Sequence, residues 1–230
     1  LKPQALLHHN AVMQILEFTV DSLRFLDELP AQPPELGFVW IYLDRDDVAA
    51  HMDKLQQAAQ TLGGSTLLDV HMEDLQNAMH PSHYDFTSIY DMIIFRRLAS
   101  VQEMQHASQR DAAVEAYHGQ LAEGGPQRRS GPQIQPISSR AVGFVVFDRL
   151  LITTHPRTCY AARNFVQRFV ADVKSGVDAV GARNRIPNSP ADLTLRMLNV
   201  MVDSYLDLRK ELSAQLAHWQ AELLKTSSSF

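Results

Sequence analysis

Apolar positions follow two rhythms along this chain: short dense runs early, and a regular three-and-four spacing late. The late pattern is Leu195, Leu198, Val202, Tyr205, Leu212, Leu216, Trp219 and Leu223, with Arg209 as its only polar interruption. A heptad seam of that kind predicts a long helix over Ser189 to Leu223 that lies along other helices. A second apolar face, Leu193, Met197, Val200, Met201 and Leu208, is confined to its first half. Burial on two sides is therefore expected early in the helix and on one side later. Soon after Leu223 the sequence ends in Thr-Ser-Ser-Ser-Phe. The seam then needs a second copy, or a missing part of a longer polypeptide, to cover it. The second of these is the reading adopted.

The dense runs predict strands at Met13 to Val20, Phe38 to Leu43, Phe86 to Tyr90, Met92 to Leu98, Ala141 to Phe147 and Leu150 to Thr154. Phe38 to Leu43 is almost wholly apolar, as in a strand covered on both faces. Asp148-Arg149 reads as a tight hairpin turn. Arg24 to Leu29 fits a short strand or a helical turn, and Pro30, Pro33 and Pro34 then force a loop. Helices are expected at Asp47 to Leu62, stopped by Gly63-Gly64, at Asp69 to Met79, stopped by Pro81, and at Tyr160 to Lys174. Asp44, Asp46 and Asp47 read as cap residues for the first of these rather than as a metal loop. Residues Leu1 to Asn10 read as a loose terminus. Polar, Gly/Pro-containing sequence from Gln102 to Pro136 reads as a mobile insertion, with a helical piece at Ala112 to Tyr117, and Gly176 to Pro190 as a linker. Strands in two groups with helices between and after predict an α/β fold: a mixed sheet covered by helices, with the long helix leaving it. The expected domains are 1–188 and 189–230.

Composition narrows the function classes. The net charge of -5 and the lack of a long basic run argue against a nucleic-acid partner. The single cysteine, Cys159, rules out an internal disulfide and suits a reducing compartment. No run of about 18 apolar residues is present to cross a membrane. Glycine-rich phosphate loops, GxSxG, HExxH and paired Cys-x-x-Cys are all missing, so an enzyme is not expected. Cys159 follows His155 by four residues, but Pro156 intervenes and no orienting partner is apparent. The other histidines share no helical face, so a zinc cage is not expected. One polar group stands out: His71, Glu73 and Asp74 on the short helix. His71 and Asp74 are three apart and share a face, while Glu73 points elsewhere. Adjacent carboxylates suit a hard divalent cation, completed by a neighbouring surface; the alternative is a solvated acidic face.

Four stretches together resemble the cytosolic domain of the CorA family of divalent-cation transporters. They are GFVWIYLD (Gly37 to Asp44), LLDVHMEDLQNAMHPSHYDFTSIYDMIIFRRL (Leu67 to Leu98), VGFVVFDRLLITTHP (Val142 to Pro156) and SPADLTLRMLNVMVDSYLDLRKEL (Ser189 to Leu212). They occur in the family's order. The resemblance implies an α/β/α sandwich with a mixed central sheet and a long C-terminal helix, on the cytoplasmic face of a homopentamer. It also implies a membrane part with a Gly-Met-Asn signature that lies beyond this sequence. Regulatory Mg2+ would sit between neighbouring copies, held in part by Glu73 and Asp74, and would hold the pore shut. Cobalt or nickel are further candidate ions, and a zinc-transporting branch shares the fold. A further acidic position of the family falls on Asn199 here, which departs from the pattern. A soluble scaffold dimerising through the seam is the competing reading from a different class.

Overall fold

The computed structural model describes residues 13–20, 22–99, 138–156 and 186–227. The expected terminus at Leu1 to Asn10, the insertion with its Ala112 to Tyr117 piece, and the Tyr160 to Lys174 helix, like most of the Gly176 to Pro190 linker, lie outside them. Two compact units are present: residues 1–96 with 140–199, and residues 97–139 with 200–230.

Seven strands form one mixed sheet. They are β1 (Met13–Thr19), β2 (Leu23–Leu26), β3 (Gly37–Asp44), β4 (His83–Phe86), β5 (Asp91–Leu98), β6 (Ser139–Val146) and β7 (Leu150–His155). Their order is β2-β1-β3-β7-β6-β5-β4. The β3–β7 pair is parallel; β1–β2, β1–β3, β4–β5 and β6–β7 are antiparallel. Among the described residues three α-helices accompany them: α1 (Met52–Ala58), α2 (Asp69–Gln76) and the long α3 (Pro190–Ser227).

Alternation along the strands divides the side chains between two buried faces. Val39, Ile41 and Leu43 of β3 join Ile15, Val145 and Ile152 in a core with Leu55 and Ala58 of α1 and Met72 and Leu75 of α2. Leu16, Phe18, Phe38, Trp40, Phe144, Leu151 and Thr153 point the other way, and none is more than 1% exposed. Phe18 and Phe38 stack there with ring centroids 4.7 Å apart, and the Trp40 indole N–H donates to Thr153 Oγ1 at 2.8 Å. A sheet dry on both faces explains why β3 carries no polar alternation. Gly37 opens β3 at φ 144, opposite Thr19, where a side chain would land on the Phe18 carbonyl.

Several elements depart from the sequence expectation for local reasons. The helix expected over Asp47 to Leu62 is broken into tight turns at Arg45–Asp47 and Ala49–His51, then α1, then a wider turn at Ala59–Gly63. At the Ala49–His51 turn, the His51 Nδ1–H donates to the Asp47 carbonyl at 2.9 Å while its backbone N–H goes to Val48 O rather than to Asp47 O. Asp44 stands at the N-cap without a side-chain capping bond. The turn ends at Gly64 with φ 82, where glycine suits a left-handed stop. Helix α2 ends at Gln76, not Met79, because Asn77 leaves the helix and its Oδ1 accepts the Met79 N–H at 2.9 Å. The strand expected over Phe86 to Tyr90 is instead β4, ahead of it. Thr87 to Tyr90 make the hairpin turn, with the Tyr90 N–H donating to Thr87 Oγ1 at 2.9 Å.

Ser189 caps α3, its Oγ accepting the Asp192 N–H at 3.2 Å. Asp192 reaches back to the Asn188 N–H at 3.2 Å and holds Arg196 through both oxygens at 2.8 and 2.9 Å. Leu193, Met197 and Met201 are buried, but Val200 of the same expected face is exposed, so early burial is one-sided. The seam residues Leu195, Val202, Leu212, Leu216, Trp219 and Leu223 are exposed.

Candidate functional site

The candidate residues sit on α2, which is held on its sheet face by three separate devices. The buried Arg45 guanidinium donates to Leu75 O at 3.2 Å and also to Ala141 O, tying the last turn of α2 to β6. Leu75 packs over Gly143, where an added methyl would come 2.5 Å from the Leu75 side chain. At the other end, the Leu68 N–H donates to the Tyr90 hydroxyl at 3.0 Å, satisfying a donor that a helix start leaves without an intrahelical acceptor.

That hydroxyl starts a relay. Tyr90 Oη lies 2.8 Å from His71 Nδ1, and His71 Nε2 lies 3.1 Å from Asp85 Oδ2. One arrangement of hydrogens serves every group: Tyr90 O–H donates to Nδ1, and Nε2–H donates to the carboxylate. The reverse tautomer would point a lone pair at Asp85. His71 is 1% exposed and Asp85 is half-buried, so the relay runs from the core to the rim. The His71 hydrogen bond, aided by the Phe86 N–H, holds the Asp85 carboxyl below the ordinary carboxylate range. Burial raises the Tyr90 phenol.

His71, Glu73 and Asp74 thus diverge. His71 is a core residue and does not share a surface with Asp74. Asp74 is half-buried, with Oδ1 3.1 Å from His80 Nε2. His80 Nδ1–H in turn donates to Pro81 O at 2.8 Å. Glu73 is exposed, and among the described residues its carboxylate has no hydrogen-bond or ion-pair partner. The loop carrying His80 is strapped by Arg96 of β5, whose Nη1 donates to Ala78 O at 3.1 Å and His80 O at 2.9 Å. His83 opens β4 with its ring 5.7 Å from that of His80. Among the described residues no three His, Cys, Asp or Glu side chains converge as a metal site. Asn199 lies exposed on α3.

His80, His83, Asp85 and Tyr90 were not singled out by sequence. Shared helical faces do not reveal partners supplied by a loop, one strand and a hairpin turn. The signal available was the density of polar groups in HPSHYD, Asp85 included, directly after the helix.

No family model and no curated protein sequence matches the chain. Solved structures do match it. The full-length CmaX protein covers 90% of this chain at 12% identity, with a TM-score of 0.52 and 49% of its own length matched. The complete CorA magnesium transporter from Methanocaldococcus jannaschii covers 93% at 13% identity, with a TM-score of 0.53 and 51% of its own length matched. This chain therefore spans about half the length of each of those chains. Among the described residues no helix is long and apolar enough to cross a membrane. The seven-stranded mixed sheet with its long C-terminal helix is the α/β fold seen in CorA, as the four sequence stretches led one to expect.

Proposed function

We propose that this chain is the cytosolic regulatory domain of a CorA-type divalent-cation transporter, in which Mg2+ bound between copies at Glu73 and Asp74 favours the closed pore. The observation that carries the reading is the fold likeness to the CorA magnesium transporter over 93% of this chain. The donor chemistry is compatible: two carboxylates suit a hard cation that prefers oxygen and keeps several waters. Adjacent helix positions point about 100° apart, and here one carboxylate faces solvent while the other faces His80. A single copy therefore does not close both around one ion, and a neighbour's surface must complete the site, in keeping with a homopentamer. Carboxylates facing one another across such an interface repel; a divalent ion neutralises them and shifts the population towards the closed ring. Cobalt and nickel remain candidate cargo, and the zinc-transporting branch is the alternative within the fold.

The test is limited proteolysis of the full-length transporter with and without Mg2+. Replacing Glu73 and Asp74 together with Ala should abolish the protection that Mg2+ gives. Protection identical to the parent would remove both residues from the site. A non-transport scaffold is the second reading, favoured by the exposed seam at Leu212, Leu216, Trp219 and Leu223.

A further inference from the structure

We propose that the outer edge of β4 is a docking strand for an extended basic segment of a partner protein, which pairs beside Tyr84 and lays Lys or Arg side chains over Tyr84, Phe86 and Asp91. Nothing in it depends on the cation reading of Glu73 and Asp74.

The sheet order leaves β4 at one edge, paired to β5 alone. The hairpin turn fixes which of its backbone groups face outwards. The Thr87 N–H points to the β5 side, donating to Tyr90 O at 2.9 Å. Backbone groups of an antiparallel ladder alternate in direction, so Asp85 and His83 also turn theirs to β5, opposite Met92 and Ile94. Those of Tyr84 and Phe86 therefore point away from the sheet. Asp85 Oδ1 already accepts the Phe86 N–H at 2.7 Å. Tyr84 is left with a donor and an acceptor at the edge, the two groups that an added strand uses. This edge is also held in shape before any partner arrives. Asp85 is fixed to His71 behind it, and the Thr87 hydroxyl closes the turn, so little ordering remains to be done on binding.

The side chains decide which kind of strand fits. Tyr84 and Phe86 are two apart and share the face opposite Asp85 and α2. They are 58% and 68% exposed, and their rings stack with centroids 6.2 Å apart. Asp91 lies across from Phe86 in the register and accepts the Tyr84 hydroxyl at 3.0 Å. An ammonium or guanidinium group is drawn both to ring faces and to such a carboxylate. From His83 to Asp91 the chain carries two carboxylates, Asp85 and Asp91, and no Lys or Arg. With a net charge of -5 behind it, that edge repels an anionic lipid surface and a second copy alike, and attracts a cationic strand. The opposite edge differs: β2 presents the Arg24 guanidinium to solvent, a device that discourages pairing.

The experiment titrates the full 230-residue chain into a dye-labelled, end-capped peptide of alternating Arg and Val, read by fluorescence anisotropy, with a Glu and Val peptide in parallel. The Arg peptide should bind saturably and slow hydrogen exchange at the Tyr84 amide, and the Glu peptide should do neither. Tyr84→Ala combined with Phe86→Ala should weaken binding by about two- to fivefold for each ring, the range of an exposed cation–ring contact. Asp91→Asn keeps an acceptor for the Tyr84 hydroxyl but loses the charge, and should also bind more weakly. Phe25→Ala, which removes an exposed ring from the β2 edge, should bind like the parent. Circular dichroism checks that each variant is folded. No saturable binding of the Arg peptide, equal binding of the Glu peptide, or an affinity unchanged in the Tyr84/Phe86 variant would overturn the proposal. So would a parent dimer in sedimentation that the same double variant dissolves, or binding to phosphatidylserine vesicles that it abolishes, since either would give the edge a different occupant.

Discussion

Replacing His71 with Phe tests whether the Tyr90–His71–Asp85 relay anchors α2. The substitution keeps an aromatic ring but a larger one in a site only 1% exposed, so some overpacking adds to the loss of the hydrogen bonds. Tyr90 is 4% exposed, and its hydroxyl would lose its acceptor at 2.8 Å while still receiving the Leu68 N–H. A buried hydroxyl left without an acceptor costs about 1–3 kcal/mol. For a protein of this size each kcal/mol lowers Tm by about 2–4 °C, so a fall of about 2–12 °C is expected. Asp85 faces solvent and adds little to that figure. Tyr90→Phe removes the other half of the pair and also leaves the Leu68 N–H without its acceptor. The double variant should then cost less than the sum of the singles, by about 0.5–3 kcal/mol of coupling. Thermal unfolding of the four proteins, followed by circular dichroism, measures the cycle. Additive losses, or a His71→Phe variant as stable as the parent, would refute the relay.

Gly37→Ala should destabilise by at least about 1–3 kcal/mol, because φ 144 is strained for any L side chain and the new methyl meets the Phe18 carbonyl; chemical denaturation should show the midpoint falling, and an unchanged midpoint would mean the β1–β3 turn is built differently. Leu216→Asp places a charge at a seam position that is 60% exposed in the single chain. It should leave the fold intact and weaken self-association in sedimentation velocity, and a strictly monomeric parent would refute the scaffold reading.

Much of the fold was legible where one kind of pattern dominated. The FVWIYL run of β3 and the AVGFVVF and LLITT strands follow from local sequence, since burial on both faces leaves a clear mark. Legibility failed where a single side chain overrode its neighbours. The His51 ring takes the Asp47 carbonyl that an α-helix would give to the His51 backbone N–H, where the apolar spacing alone would continue the helix. Asn77 ends α2 early by bonding to its own loop. Thr87 bends a β-prone stretch into a turn by offering its hydroxyl to the Ile89 and Tyr90 N–H groups. The candidate site behaved likewise. Glu73 and Asp74 could be picked out as a pair, but their divergence could not, because it depends on His80, six residues past Asp74 and beyond the end of the helix.

The parallel β3–β7 pairing at the centre of the sheet has a consequence for how the chain is made. Trp40 and Thr153, bonded across that pairing, are 113 residues apart in sequence. Strand β3 can therefore zip to β1 soon after leaving the ribosome, but its other edge stays bare until β7 has emerged. Throughout that interval an all-apolar ribbon with open hydrogen-bonding groups is exposed to any other unfinished chain. Nascent copies translated close together would thus risk pairing with one another before the sheet is complete, and a chaperone that shields extended apolar segments would have most to do in that window.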